Sequence, residues 1–203
     1  MAMNLKRRYF NELAPRWDAL PAPLDATDKV RHFVERAVAP DARLVLDIGG
    51  GTGILLPVLL EKFGAAARLV ELDLAENMLA ESARKFSAPW VLRLCADARY
   101  LPLRAESADL ILCFGVLPHL GEAGEALRGL MQVLRPGGAL AVGHLMGSRE
   151  LNALHASLDA AVAGDRLPSA GALAEIFHGL GATAIVAEEY PDWYFVRAEK
   201  QTP

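Results

Sequence analysis

The sequence predicts an α/β fold in which helices cover both faces of a mostly parallel sheet. From residue 43 onward, short runs of branched apolar residues alternate with helical patterns, and such alternation is typical of parallel sheets. Five glycine-rich or glycine-flanking positions, 49–53, join the first apolar run to the next helix. The chain closes on two strand-like runs joined by Pro191 and Asp192, which is a hairpin signal.

Two helical patterns and no strand precede residue 40. The first covers about 5–20 and is interrupted by Pro15. The second covers about 27–39, where Val30, Phe33 and Val34 begin an apolar face at helical spacing. We expect residues 1–40 to form a helical cap on a core that covers 41–203.

The elements of this core follow in order. Strands are predicted at 43–48, 67–73, 90–97, 108–117 and 139–146, and helices at 54–64, 75–86 and 124–134. Two further helices are predicted at 148–164 and 169–181, the second with Ser169 as its N-cap. The terminal hairpin covers 183–200.

Composition excludes several classes of protein. The 203 residues are 53% hydrophobic and 23% charged, which suits one globular domain with a sizeable core. A net charge of −4 and the absence of a basic patch argue against nucleic-acid partners. The sequence contains no run of 18 apolar residues, so no membrane span is predicted. The N-terminus lacks the apolar segment of a signal peptide. Cys95 and Cys113 both lie in apolar runs, so we expect two buried free thiols and a cytoplasmic protein.

The predicted topology places functional residues before any motif is considered. Parallel sheets of this kind bind ligands beyond the carboxyl ends of their strands. Functional side chains should therefore lie at or just after Asp47, Asp73, Asp97, Phe114 and His144.

The glycine turn limits the class of cofactor. The P-loop of an NTPase needs Gly-Lys-Ser/Thr, so that the lysine reaches the phosphates. Here Thr52 and Gly53 are followed by two apolar residues, which excludes that class. A dinucleotide site prefers glycines spaced two and three apart, but Gly49, Gly51 and Gly53 are spaced two and two. Asp47 comes two residues before the first glycine, where a carboxylate would repel a pyrophosphate and would suit a cationic ligand. S-adenosylmethionine (SAM) carries a sulfonium, an ammonium and no phosphate.

A second carboxylate is consistent with an adenosine-bearing cofactor. Asp73 ends the second strand, 20 residues after Gly53, where an acidic side chain can accept from both ribose hydroxyls. That position alone fits NAD and SAM equally. Glu71 lies on the same side of the strand and is either a second ribose ligand or a structural carboxylate.

Six motifs in order resemble those of the class I SAM-dependent methyltransferases, and the resemblance covers about residues 9–145. The matching stretches are "YFNELAPRWD", "VLDIGGGTG", "ELDLAENML", "CADARYLPLRAESADLILC", "FGVLPHL" and "LRPGGAL". The first departs from the family in having Asn11 for Asp and Trp17 for Tyr. The resemblance implies a Rossmann-like seven-stranded sheet of order 3-2-1-4-5-7-6 with the last strand antiparallel.

The same resemblance implies roles for individual residues. Asp73 would bind the ribose, Met78 would pack near the adenine, and Asp97 would accept from the adenine amino group. The Ala98 N–H would face the adenine ring. The full cofactor set implied is Asp47, Gly49, Gly51, Gly53, Asp73, Leu74, Met78, Asp97, Ala98, Phe114 and Gly115.

These observations predict methyl transfer from SAM to a small-molecule acceptor, with S-adenosylhomocysteine as product and a monomeric or homodimeric enzyme. The segment of about 145–181 would be an insertion on the substrate side. Two alternatives stay open: a SAM-binding module without turnover, and a nicotinamide dehydrogenase that the glycine spacing disfavours.

Candidates for catalysis come from the histidines. His119 and His144 fall at predicted strand ends, and His155 lies on the helix that follows, so each could act as a base or be an ordinary loop histidine. Their spacing, with Asp165, matches no compact metal motif, and we expect no metal. Arg149, Asn152 and His155 share a helix face, which either grips a polar acceptor or is simply solvated; Leu151, Leu154 and Leu158 are expected to face the core.

Overall fold

The computed structural model describes residues 2–39 and 41–202 and contains one seven-stranded sheet of order β3-β2-β1-β4-β5-β7-β6. The strands are β1 (Leu44–Ile48), β2 (Arg68–Asp73), β3 (Val91–Cys95), β4 (Ala108–Phe114), β5 (Leu134–His144), β6 (Ala182–Tyr190) and β7 (Trp193–Lys200). The helices are α1 (Ala2–Leu13), α2 (Ala26–Ala37), α3 (Leu56–Phe63), α4 (Glu76–Lys85), α5 (Ala123–Val133), α6 (Ser148–Ala156) and α7 (Ala170–Gly179). The predicted fold class and strand order are confirmed.

Strand pairing brings the predicted functional residues to one edge. Strands β3, β2, β1, β4 and β5 run parallel, and β7 pairs antiparallel with both β5 and β6. In the β1–β2 register Asp47 lies opposite Glu71. The carboxyl ends of β1, β2, β4 and β5 therefore share the edge at which such sheets bind ligands.

Apolar residues on alternate faces of the strands explain the two helical layers. Leu46 and Ile48 of β1 pack in a core with α5 and α7, whereas Val45 packs in a core with α2 and α3. Successive side chains of a strand point to opposite faces, so a strand buried on both sides is apolar throughout. None of the helices described is both long enough and apolar enough to cross a bilayer.

Several boundaries differ from the sequence prediction. The first helix ends at Leu13, and Pro15 opens a short 3-10 helix, Ala14–Ala19. Strand β5 begins five residues earlier than predicted because Leu134 pairs with Ala108. Cys95 is exposed at the end of edge strand β3, so its predicted burial is wrong; Cys113 is buried, and both thiols are free.

The helix predicted over 148–164 stops at Ala156. Ser157 Oγ donates to the Leu154 carbonyl, and Asp159 Oδ1 accepts from the Ala161 N–H. Such bonds between a side chain and the nearby backbone compete with helix formation. The remaining residues of this stretch form turns, which bring Asp165 back towards the sheet edge.

Candidate active site

The glycine turn after β1 has the backbone geometry that only glycine adopts readily. Gly49, Gly51 and Gly53 have φ angles of 69°, 57° and 87°, in the left-handed region that is costly for other residues. A Cβ on Gly49 would also overlap the side chain of Val116, and one on Gly53 would come within 2.9 Å of Ser82 Oγ. The turn is therefore closely packed against the segments that follow β2 and β4.

Asp73 joins the glycine turn to the start of α4. Its Oδ2 accepts from the Gly51 N–H at 3.0 Å and its Oδ1 from the Ala75 N–H at 2.8 Å. Burial raises the pKa of Asp73, and hydrogen bonds from backbone N–H groups oppose that rise. Each carboxylate oxygen can accept more than one hydrogen bond, so Asp73 keeps acceptor capacity for ribose hydroxyls.

Asp47 is a buried carboxyl whose Oδ2 has no hydrogen-bond partner among the described residues. It is 3% exposed. Burial raises its pKa well above the ordinary value, and the nearby charges of Glu71 and Asp73 add to the effect. An uncompensated buried carboxyl is costly unless a cationic partner arrives.

Glu71 has a structural set of contacts instead of a ribose-binding one. It is fully buried, it accepts from Ser82 Oγ at 2.6 Å, and Arg93 Nε lies 2.9 Å away. Since these groups reach it from α4 and β3, Glu71 ties those elements to β2. Of the two roles left open for Glu71, these contacts favour the structural one.

Two residues predicted to lie beside the adenine follow β2 and β3: Met78 is in the first turn of α4, and Ala98 comes three residues after β3. Met78 is buried and packs with Ala14 and Ala75 beneath Phe10 and Trp17 of the N-terminal segment. Ala98 is also buried.

The carboxylate of Asp97 is held by a neighbour. Arg99 Nη2 donates to Asp97 Oδ2 at 2.6 Å, and Arg99 Nε contacts both oxygens. This pairing lowers the pKa of Asp97. An adenine amino group would have to share the carboxylate with Arg99.

Phe114, Gly115 and Leu74 complete the predicted cofactor set. The Phe114 ring is buried against Phe33 of α2, with centroids 4.9 Å apart. Gly115 has a φ of 69° and donates its N–H to the Gly143 carbonyl at 2.9 Å. Leu74 is half-buried directly after Asp73.

The histidines meet across the carboxyl ends of β4 and β5. His119 Nδ1 lies 2.6 Å from Asp165 Oδ2. The rings of His119 and His155 are 5.1 Å apart between centroids, and Phe10 packs edge-on against His119 at 5.0 Å. Lys6 Nζ donates to Asp165 Oδ1 at 2.6 Å and to the His119 carbonyl at 3.0 Å.

His144 ends β5 and is partly buried, and its Nδ1 accepts from the Met146 N–H at 3.1 Å. Burial lowers its pKa to about 3, and the charges of His119 and His155 act in the same direction. It is therefore neutral at physiological pH. The occupied Nδ1 leaves its other ring nitrogen protonated.

The polar face predicted on α6 divides into separate roles. Arg149 is exposed. Asn152 bonds both backbone groups of Leu167, donating to the carbonyl at 2.9 Å and accepting from the N–H at 2.8 Å. Its amide therefore closes the 157–167 turn segment. Leu154 and Leu158 are 40% and 43% exposed, so the expectation that they face the core is wrong.

The N-terminal segment supplies contacts that the sequence patterns did not assign. Asp18 accepts from Thr52 Oγ1 in the glycine turn and from Lys85 Nζ, both at 2.6 Å. Arg7 forms a two-point pair with Glu76 at the start of α4. Asp18 is the last residue of the family-like motif "YFNELAPRWD", and that motif was the sequence signal that could have identified it. No motif contains Lys6.

No group of three or more histidine, cysteine and carboxylate side chains within 2–39 and 41–202 is arranged to hold a metal ion.

Comparison with known proteins points to methyltransferases. Residues 46–142 match a family described as a methyltransferase domain. The fold is shared with solved structures described as SAM-dependent methyltransferases. Among curated relatives, a malonyl-[acyl-carrier protein] O-methyltransferase of Marinomonas sp. (strain MWYL1) is 32% identical over 136 residues, which is 64% of this chain and 50% of the relative.

A trans-aconitate 2-methyltransferase of Azoarcus sp. (strain BH72) is 35% identical over 132 residues, which is 63% of this chain and 50% of that protein. The chain thus spans about half the length of the curated relatives it matches. A solved complex of a Haloferax volcanii methyltransferase with its Trm112 activator shares the fold, with a TM-score of 0.80, 14% identity and coverage of 95% of this chain and 98% of that one.

Proposed function

We propose that this protein transfers the methyl group of SAM to a small-molecule acceptor. The observation that carries the proposal is the buried Asp47 Oδ2 with no partner among the described residues, next to a second carboxyl, Asp73, that retains acceptor capacity. An anionic edge beside a glycine turn suits a cofactor with a sulfonium, an ammonium and two ribose hydroxyls. It disfavours the pyrophosphate of a nicotinamide cofactor.

The residues present fit this cofactor in three places. Asp47 would face its cationic methionine end, and Asp73 would accept from the ribose hydroxyls. The backbone of Gly49–Gly53 would allow close approach. Leu74, Met78, Asp97, Ala98, Phe114 and Gly115 are proposed to line the adenine and methyl ends.

When bound, SAM supplies an electrophilic methyl group on an excellent leaving group. The chain's own role is then to orient the acceptor and to exclude water. The proposed cap, residues 1–40, supports that role because α1 contacts α4 through Arg7 and reaches Asp165 through Lys6. The segment of about 145–181 is proposed to form the other wall of the acceptor site.

A small acceptor is favoured over a macromolecule by charge. The net charge is −4, and the proposed site presents the carboxyls of Asp47, Asp73 and Asp165. Nucleic-acid substrates require basic surfaces that neutralise phosphates. One relative is named for trans-aconitate, which is a small molecule, whereas another is named for a malonyl group carried by a protein.

Calorimetric titration of the full chain with SAM, S-adenosylhomocysteine and NADH tests the cofactor. We expect binding of the first two and none of NADH; the reverse pattern would overturn the proposal. Production of S-adenosylhomocysteine in the presence of a small-molecule extract tests turnover. Binding without turnover on any acceptor would instead assign a SAM-binding module.

A further inference from the structure

His119 is held at one ring nitrogen by a carboxylate 46 residues away. Asp165 Oδ2 lies 2.6 Å from His119 Nδ1, and Asp165 Oδ1 accepts from Lys6 Nζ. Burial raises the pKa of Asp165, but hydrogen bonds from His119 and Lys6 outweigh it, and the net direction is downward. An ionised carboxylate can only accept, so Nδ1 carries the hydrogen and the neutral ring keeps its lone pair on Nε2.

Nε2 of His119 is available to an acceptor, and its ring is more exposed than that of His155. Among the hydrogen bonds of residues 2–39 and 41–202, none engages Nε2, and the side chain is 16% exposed. His144 has its acceptor nitrogen filled by the Met146 N–H. His155 is 5% exposed, and its Nδ1 lies 3.3 Å from the Asp165 carbonyl.

The charged and titratable groups that face His119 come from four elements and one turn. They are Lys6 of α1, Asp73 of β2, His144 of β5, His155 of α6 and Asp165 of the following turn. His119 follows β4, which pairs with β1 on one side and with β5 on the other, so the loop that carries the ring lies between the proposed cofactor side and the proposed acceptor side.

We propose that Asp165 positions His119 to remove a proton from the acceptor, and that the acceptor nucleophile therefore arrives protonated, as a hydroxyl or an amine does, and is not a carboxylate. This inference rests on the proposed function. The acceptor proton moves to Nε2, the freed lone pair bonds to the methyl carbon, and the electron pair of the broken carbon–sulfur bond stays on sulfur. The proton then passes from Nε2 to water.

The charges at the site argue against an anionic acceptor. A carboxylate acceptor needs no base but does need a cation to bind it. Lys6 is already paired with Asp165, and burial lowers the pKa of both His144 and His155. Asp73 and Asp165 at the same edge would repel an acceptor that carries a negative charge.

The chemical stability of the methylated product tests the acceptor class even while the acceptor itself is unidentified. The full chain is incubated with methyl-labelled SAM and a small-molecule extract, and the labelled products are treated with mild alkali. We expect label that stays attached, as in methyl ethers and methylamines. Release of most of the label as methanol would show methyl esters and would overturn the inference.

Asp165→Asn tests the positioning role. We expect kcat to fall at least about 10-fold, with the KM for SAM within twofold. The acid limb of the kcat/KM profile should move to lower pH, because a carboxylate stabilises the protonated imidazole. Asp165→Glu should restore part of the rate, and Asp41→Asn, an exposed control, should match wild type. An unmoved acid limb would make Asp165 merely structural.

Histidine NMR separates this inference from turnover. In the ¹⁵N-labelled full chain, with His119→Asn for assignment, the neutral His119 ring should carry its hydrogen on Nδ1. The opposite tautomer would overturn the positioning role even if methyl transfer occurs. The expected tautomer, with SAM bound and no product from any acceptor, would overturn the proposed function and the acceptor class with it.

Discussion

The proposed cofactor side and the proposed acceptor side of the sheet edge are built in different ways. On the proposed cofactor side, the Asp73 carboxylate accepts from the backbone N–H groups of Gly51 and Ala75, which are 22 and 2 residues away. On the proposed acceptor side, His119 contacts Asp165 46 residues away, and Lys6 reaches Asp165 across 159 residues. The first region depends on local backbone conformation and the second on side chains brought together from α1, the β4 loop and the turns after α6.

Because of this difference, we expect the two regions to respond differently to substitution. A turn of positive φ angles with close neighbours admits almost no side chain, so substitution there should disturb the fold. Side chains on the proposed acceptor side meet through their own polar groups and do not set the backbone conformation, so we expect substitution there to alter the reaction more than the fold. The following substitutions test that contrast.

Gly49→Ala should have the largest effect. The positive φ costs about 1–2 kcal/mol for a residue with a Cβ, and overlap with Val116 adds about 1–3 kcal/mol. We expect a clear fall in the free energy of unfolding and loss of measurable SAM binding. Chemical denaturation and calorimetry measure both. Gly179→Ala, where nothing lies within 4 Å, is the matched control, and equal behaviour of the two variants would refute the local argument.

Asp73→Ala should weaken SAM binding by at least about 10-fold. Charge-assisted hydrogen bonds to ribose hydroxyls contribute roughly 1.5–3 kcal/mol each, and 1.4 kcal/mol is a factor of ten. Calorimetry gives the affinity and circular dichroism the fold. Unchanged affinity with an intact fold would remove Asp73 from the ribose site.

Asp47→Asn should weaken SAM binding less than Asp73→Ala does. In contrast to Gly49→Ala, it should stabilise the cofactor-free fold. A folded-state pKa above the unfolded value of about 3.9 means that the folded state binds more protons between the two, so stability falls as pH rises through that window. The amide removes this penalty, and the cofactor-free variant should have a higher Tm than wild type near pH 7. Because a neutral acceptor is about half as strong as a charged one, SAM affinity should fall about fivefold.

Thermal scans from about pH 4 to pH 8 check this result. Wild type should lose stability relative to Asp47→Asn as the pH rises. A difference in Tm that stays constant with pH would contradict the role of the buried carboxyl.

Arg149→Ala should have the smallest effect. The side chain is exposed and lies on the helix face that the sequence analysis considered as a binding surface for a polar acceptor. We expect SAM affinity and methylation within twofold of wild type. A loss of methylation above about 10-fold at constant SAM affinity would bring Arg149 into the acceptor site.

The sequence predicted most of the fold because its signals are periodic and local. Apolar runs located every strand of the sheet, and the Pro191–Asp192 turn located the hairpin. The helix over 148–164 was predicted too long, because hydrophobic spacing does not reveal a hydrogen bond such as that from the Ala161 N–H to Asp159 Oδ1.

The sequence by itself determined the glycine turn and the carboxylates near the ends of β1 and β2, since each depends on the conformation of a few consecutive residues and on a parallel sheet that the strand pattern predicts. Only the tertiary structure decided the proposed acceptor side. It placed Asp165 and Lys6 beside His119, which is why His119 is proposed from the three candidate histidines, and it bonded Asn152 to the backbone of Leu167. Such pairings join positions far apart in the chain, and no local spacing encodes which distant side chains will meet.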